Sequence, residues 1–209
     1  MSASEGTPPP ADTPLGERKL VTLLGLQALV FALAGLGLWW ASGRPPQAFL
    51  TFAPAGIAIG LAVSAVLIVL GLLLFVGLPR TGDYLVRAQA PTLDLLPKDL
   101  SFSAIVAISF FAGAGEEMLF RGGLQTLLGD YVVIPLAIGI SSALFALSHA
   151  AKPIIMALVF VVGIMFGVVF WQTGSLLGVI VGHFLYDVFA LWYVLRRMGR
   201  LDVEDAAPG

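Results

Sequence analysis

The chain contains no cysteine, so neither a disulfide nor a thiolate metal site is open to it. Histidine is nearly as scarce: His149 and His183 are the only two among 209 residues. Charge is thin as well. Asp, Glu, Lys and Arg make up 11% of the sequence, where soluble domains carry about 25%. A net charge of −2 gives no electrostatic footprint for nucleic acid. Apolar side chains fill the gap, at 58% of residues and a mean hydropathy of +0.96. Those values describe an integral membrane protein, long enough for one compact bundle.

Residues 1–19 differ from the rest. Pro8-Pro9-Pro10, Pro14 and interspersed Ser, Thr and Gly bury nothing, so a disordered tail is expected there. The length of this tail, and of the apolar run after Arg18-Lys19, argues against a cleaved signal peptide. Six apolar segments follow, at 20–41, 53–78, 101–128, 131–150, 153–171 and 175–195. Each is near the roughly 20 residues that a spanning helix needs. The expected fold is an all-α, polytopic membrane bundle of about six transmembrane helices. Residues 20–100 would supply two helices and a cytoplasmic loop, residues 101–195 a four-helix core, and residues 196–209 a basic then acidic tail. In the Arg80–Lys98 connection, Leu85, Val86, Leu93, Leu95 and Leu96 are expected on the membrane surface.

The basic residues orient such a bundle. With the N-terminus inside, nine lie on the inner side (Arg18, Lys19, Arg80, Arg87, Lys98, Lys152, Arg196, Arg197, Arg200) and only Arg44 on the outer. This is a strong positive-inside bias, and it places both termini in the cytoplasm. The third segment would measure about 42 Å as a straight helix, more than the roughly 30 Å hydrocarbon core. It must tilt, protrude, or break near Gly113 and Gly115.

That third segment holds Glu116-Glu117-Met118-Leu119-Phe120-Arg121. A charge at membrane depth costs roughly 2.5–3.5 kcal/mol on insertion scales, so three in six residues need a reason. Glu117 and Arg121 are four apart and share a helix face, where they can pair. Glu116 is turned about 100° away and is left free for chemistry. Further along, His149 closes Phe145-Ala146-Leu147-Ser148-His149, and His183 stands four before Asp187. At that spacing Asp187 can accept a ring N–H and fix the tautomer. His149 alone reads as an ordinary helix-end histidine. The His183–Asp187 pair alone reads equally as a proton relay or a packing bond.

Taken together, Glu-Glu-x-x-x-Arg, Phe-x-x-x-His and His-x-x-x-Asp, in order over residues 100–195, resemble the CPBP family of intramembrane proteases. That family includes the type II CAAX prenyl endopeptidases and bacteriocin-processing or immunity proteins. The resemblance implies hydrolysis of a peptide bond in a membrane-associated peptide or protein. It implies Glu116 as the base that activates water, assisted by His149, with His183 and Asp187 positioning substrate or stabilising the oxyanion. Glu117 and Arg121 are the structural ion pair. At position 187 prenyl proteases of the family commonly have Asn. An ionised Asp cannot donate to an oxyanion, so Asp187 either orients His183 or is itself protonated.

Glu116, His149 and His183 also form a His₂/carboxylate set of the kind zinc uses. No His-Glu-x-x-His element is present, and a metal-free glutamate mechanism, with no cofactor, is the favoured expectation. Two rivals stand beside the enzyme: a non-catalytic membrane scaffold or immunity/chaperone-like protein on the same bundle, and a small transporter. The transporter would more often show internal repeats, and none is visible. Glu116 lies about 22 Å along its segment, so its site is expected in a cavity open to the cytoplasm. The Ala/Gly/Leu/Val-rich composition and short chain suggest a prokaryotic cell membrane. The substrate's identity is not readable.

Overall fold

A computed structural model describes residues 16–93, 96, 97 and 100–206. Most of the expected N-terminal tail, together with Leu95 and Lys98, lies outside the described residues. The chain is an all-helical bundle, with no strand among the described residues. Among the described residues, seven α-helices run as α1 (Glu17–Ala41), α2 (Pro54–Gly77), α3 (Pro79–Leu93), α4 (Phe102–Gly129), α5 (Ile134–Ser148), α6 (Pro153–Thr173) and α7 (Leu176–Ala206). Five of them (α1, α2, α4, α6 and α7) are long and apolar enough to cross a membrane.

Local chemistry sets the ends. Proline opens α2, α3 and α6, where its missing N–H costs nothing. Ser101 caps α4 by accepting from the Ala104 N–H at 3.2 Å. The Glu17 carboxylate accepts from the Ser101 backbone N–H at 2.8 Å and from its hydroxyl at 2.9 Å, tying the start of α1 to the start of α4. Gly174, at φ +60°, ends α6 in the left-handed conformation that favours glycine.

Helices α4 and α7 form the central pair. Helix α1 covers α4, α2 covers α7, and α5 packs with α6. Lipid-facing leucines and valines stay exposed on the outer helices, for example Leu26, Leu29 and Leu33 on α1 and Val69, Leu70 and Leu73 on α2. The α2–α7 crossing is close because two glycine pairs face each other, Gly56 and Gly60 against Gly178 and Gly182. A Cβ added at Gly182 would stand 2.6 Å from the Gly60 carbonyl oxygen. This is the small-residue packing by which membrane helices associate when hydrophobicity supplies no drive between them.

Four features depart from the sequence reading. The Arg80–Lys98 connection is largely helical, as α3, and two of the residues expected on the membrane surface are packed inside the bundle instead. Leu85 and Val86 are buried, Leu85 beside Ala88 and Ile155, and Val86 beside Val194 and Leu201. An ion pair between Asp83 and Arg197, at 2.7 Å, anchors α3 to α7. The reason is length: α7 continues to Ala206, through much of the expected tail, and offers α3 an apolar wall.

The fourth apolar segment is the second departure. As α5 it has 15 residues, too few to cross a bilayer. Third, of the three ways the long third segment could fit, α4 does not take the break at Gly113 or Gly115, and it carries a change of helix type that was not expected. It stays continuous and widens into π-helix over Met118–Gln125. Two hydroxyls bond carbonyls of that widened stretch, Ser141 to Phe120 at 2.7 Å and Thr126 to Arg121 at 3.0 Å. Last, α1 already starts at Glu17, inside the region expected to be tail.

Candidate active site

The π-helical stretch of α4 begins directly after Glu116 and Glu117, and such stretches recur at functional sites. Glu117 is fully buried. Its Oε1 lies 3.2 Å from Arg121 Nη1, as the four-residue spacing predicts. Arg121 is equally buried, and its Nη2 donates to the Gly163 carbonyl of α6 at 2.9 Å. The guanidinium also stands over the Phe145 ring, 4.5 Å from its centroid. The Glu116 side chain keeps 15% exposure while that of Glu117 keeps none. One carboxylate of the pair is therefore locked and the other is reachable.

His183, on α7, is buried between α4 and α6. Its Nδ1 lies 2.8 Å from Glu117 Oε1. An ion-paired carboxylate accepts, so Nδ1 carries the hydrogen. The opposite nitrogen, Nε2, faces Glu116 Oε2 at 3.8 Å and Asp187 Oδ2 at 3.5 Å. The structure thus brings Asp187 to His183, but the tighter hold on the ring comes from Glu117, on another helix. This contact was not expected: Glu117 serves Arg121 and His183 at once.

His149 lies at the C-terminus of α5, just before Ala150, which takes a left-handed φ of +45° and turns the chain away. Its Nδ1 meets the Phe145 carbonyl at 2.9 Å. A carbonyl oxygen only accepts, so Nδ1 is the donor and the other nitrogen is left as an acceptor on the neutral ring. His149 is within electrostatic reach of Glu116. The shortness of α5 explains why. Counted from the α4–α5 turn, Glu116 lies about 20 Å along α4 and His149 about 22 Å along α5. The two reach similar depth because α5 stops early.

Aromatic rings tie these groups together. The Phe145 ring is edge-on to His149 at 4.8 Å and to His183 at 5.9 Å between centroids. All six residues singled out from the sequence, Glu116, Glu117, Arg121, His149, His183 and Asp187, thus gather around the α4–α7 contact.

A family model described as type II CAAX prenyl endopeptidase Rce1-like matches residues 98–189. Over those residues the chain is similar to that family. The match contains all six site residues and leaves out α1, α2 and α3. It agrees with the resemblance carried by the three motifs. Neither a curated protein nor a solved structure matches the chain. The Rce1-like family is a protease family, and the apolar helices make this an integral, multi-pass membrane protein.

Among the described residues, no group of three or more His, Asp or Glu side chains is placed to hold a metal ion. His183 Nδ1 is occupied by Glu117 and His149 Nδ1 by a carbonyl.

Sequence reasoning missed Phe166 and Gly163, both on α6, because that helix carries no ionisable residue between Pro153 and Thr173. The only sequence signal was Gly163-x-x-x-Gly167, two small residues at one helix face amid large ones.

Proposed function

We propose that this protein is an intramembrane endopeptidase that hydrolyses a peptide bond of a membrane-associated substrate in a prokaryotic cell membrane. Glu116 is the base. It takes a proton from water as the water oxygen attacks the scissile carbonyl carbon. Negative charge then develops on the carbonyl oxygen, where the Nε2–H of the doubly protonated His183 ring can stabilise it while Nδ1–H stays on Glu117. Collapse breaks the C–N bond. The proton held by Glu116 passes to the leaving amine, with the free ring nitrogen of His149 available to carry it. The products are a carboxylate and an amine.

The observation that supports this reading most is the unequal placement of the two glutamates. Glu117 is buried against Arg121 and His183, whereas Glu116 is partly exposed and faces the other side of the same imidazole. A scaffold needs no such division. A carboxylate reachable by water beside a fixed imidazole is what general-base catalysis requires.

The test is Glu116→Gln in a reconstituted cleavage assay, with folding followed by melting in detergent. Loss of an essential general base reduces rate by about 10²–10⁴-fold, and a side chain with solvent access should leave the fold intact. A trapped peptide co-purifying with this variant would identify the substrate class. Full biological function in the Glu116→Gln variant would reject the enzyme and favour the scaffold.

A further inference from the structure

Helix α6 brings no ionisable group to the site, yet one face of it touches Arg121 and Gln125 on α4 and His183 on α7. The Gly163 carbonyl accepts from Arg121, and the Gly167 carbonyl accepts from Gln125 Nε2 at 2.9 Å. Between them stands Phe166, fully buried, whose ring lies almost parallel to that of His183: 5.3 Å between centroids and 13° between planes. The two glycines set how close this face comes. A Cβ on Gly163 would sit 3.1 Å from Phe145 Cδ1, and one on Gly167 would sit 2.9 Å from Gln125 Oε1 and from Ile138.

We propose that Phe166 is a positioning residue that clamps the imidazole of His183 face-on. The orientation of that ring decides the chemistry. Its Nδ1 must meet Glu117 while Nε2 points at Glu116 and Asp187, and a rotation about the Cβ–Cγ bond breaks both relations at once. Phe145 blocks one edge, at 87° to the ring, and Phe166 covers a face. A helical Phe at this site packs equally well as mere filler, but filler does not need ring-to-ring alignment. The electron-rich face of Phe166 also favours the imidazolium over the neutral ring. Phe166 therefore ties the geometry of His183 to its charge.

This inference rests on His183 acting in the proposed reaction, but its test does not depend on cleavage alone. The chain has only two histidines, so ¹⁵N-histidine labelling gives two ring spin systems, and His149→Asn assigns them. In the wild-type protein the His183 ring protons should be shifted upfield relative to those of His149 by the Phe166 ring current. Their absence from that position would overturn the proposal whatever the variants do. Phe166→Leu, or Phe166→Met if leucine does not fold, should remove the upfield shift and lower the midpoint of His183 titration.

In the cleavage assay kcat should fall by about two- to thirty-fold, the size of one buried aromatic–cation contact, with KM little changed. The pH profile should move with the His183 midpoint, and Phe166→Tyr should restore it. Packing alone predicts a lower melting temperature with an unmoved midpoint and pH profile, and that result would sink the idea. If Glu116→Gln retains activity, the protease reading fails. The NMR shifts would still decide whether Phe166 positions His183.

Discussion

The carboxylate of Glu117 accepts the Nδ1–H of His183 at 2.8 Å, across the contact between α4 and α7. The same oxygen lies 3.2 Å from Arg121 Nη1. One buried anion therefore neutralises a cation on its own helix and orients an imidazole on another. This makes the second glutamate of the pair a link between fold and site. It also frees Asp187 from being the sole orienting partner of His183.

Glu117→Gln should accordingly damage both stability and rate. Breaking a buried pair typically costs about 3–5 kcal/mol, because Arg121 is left charged and unmatched. The amide can also present its NH₂ group to His183 Nδ1–H, donor against donor. Melting in detergent should show a large drop for Glu117→Gln and little change for Glu116→Gln. Equal losses in the two variants would contradict the division of labour between them.

Asp187 lies 3.5 Å from His183 Nε2 and is partly exposed. If it assists only by holding that nitrogen, Asn keeps an acceptor at nearly the same place and should retain a measurable part of the rate. Ala removes the acceptor. A hydrogen bond to a buried group is worth about 1–3 kcal/mol, so Ala should cost on the order of tenfold or more. Because Glu117 already fixes the other side of the ring, Ala should not unfold the site. Near-equal losses in Asn and Ala would instead assign Asp187 a role as an ionised carboxylate.

The placement of donors makes metal dependence a direct question. Purified active protein should contain no stoichiometric zinc, and cleavage should survive exhaustive chelation. Loss of activity on chelation, restored by zinc, would require Glu116, His149 and His183 to rearrange into a set that they do not form here.

The parts of this structure legible in the sequence are those governed by short spacing. Glu117 and Arg121 pair because four residues make one helical turn, and His149 ends its helix where the apolar run stops. The Glu117–His183 contact spans 66 positions, so no local rule reaches it. The burial of Leu85 and Val86 was likewise hidden. An apolar helix face suits lipid and protein equally, and the choice depends on α6 and α7, far along the chain. Phe166 was silent because apolar residues in a spanning helix all look alike until a neighbour is placed against one of them. The facing pairs Gly56/Gly60 and Gly178/Gly182 are written in the sequence, where their four-residue spacing marks the α2–α7 crossing.

The orientation of the bundle admits a clean test, since a chain without cysteine gives no background to thiol reagents. The basic bias puts the α1–α2 connection outside and the start of α3 inside. The one basic residue at the outer end does not weaken that bias. Arg44 makes a two-pronged ion pair with Asp130, at 2.7 and 2.8 Å, and this bond holds the Asp130 carboxyl below its ordinary range. The outer end is therefore close to neutral, while Arg80 and Arg87 on α3 and Arg196 and Arg200 on α7 crowd the other. Single cysteines should be placed at exposed positions that hold no hydrogen bond. Ser42 is unsuitable, because its hydroxyl donates to the Trp39 carbonyl. Gln47→Cys and Gln172→Cys should react with a membrane-impermeant maleimide in intact cells. Thr81→Cys should react only after permeabilisation. Labelling of Thr81→Cys from outside would invert the bundle and overturn the expectation that the Glu116 site is reached from the cytoplasm.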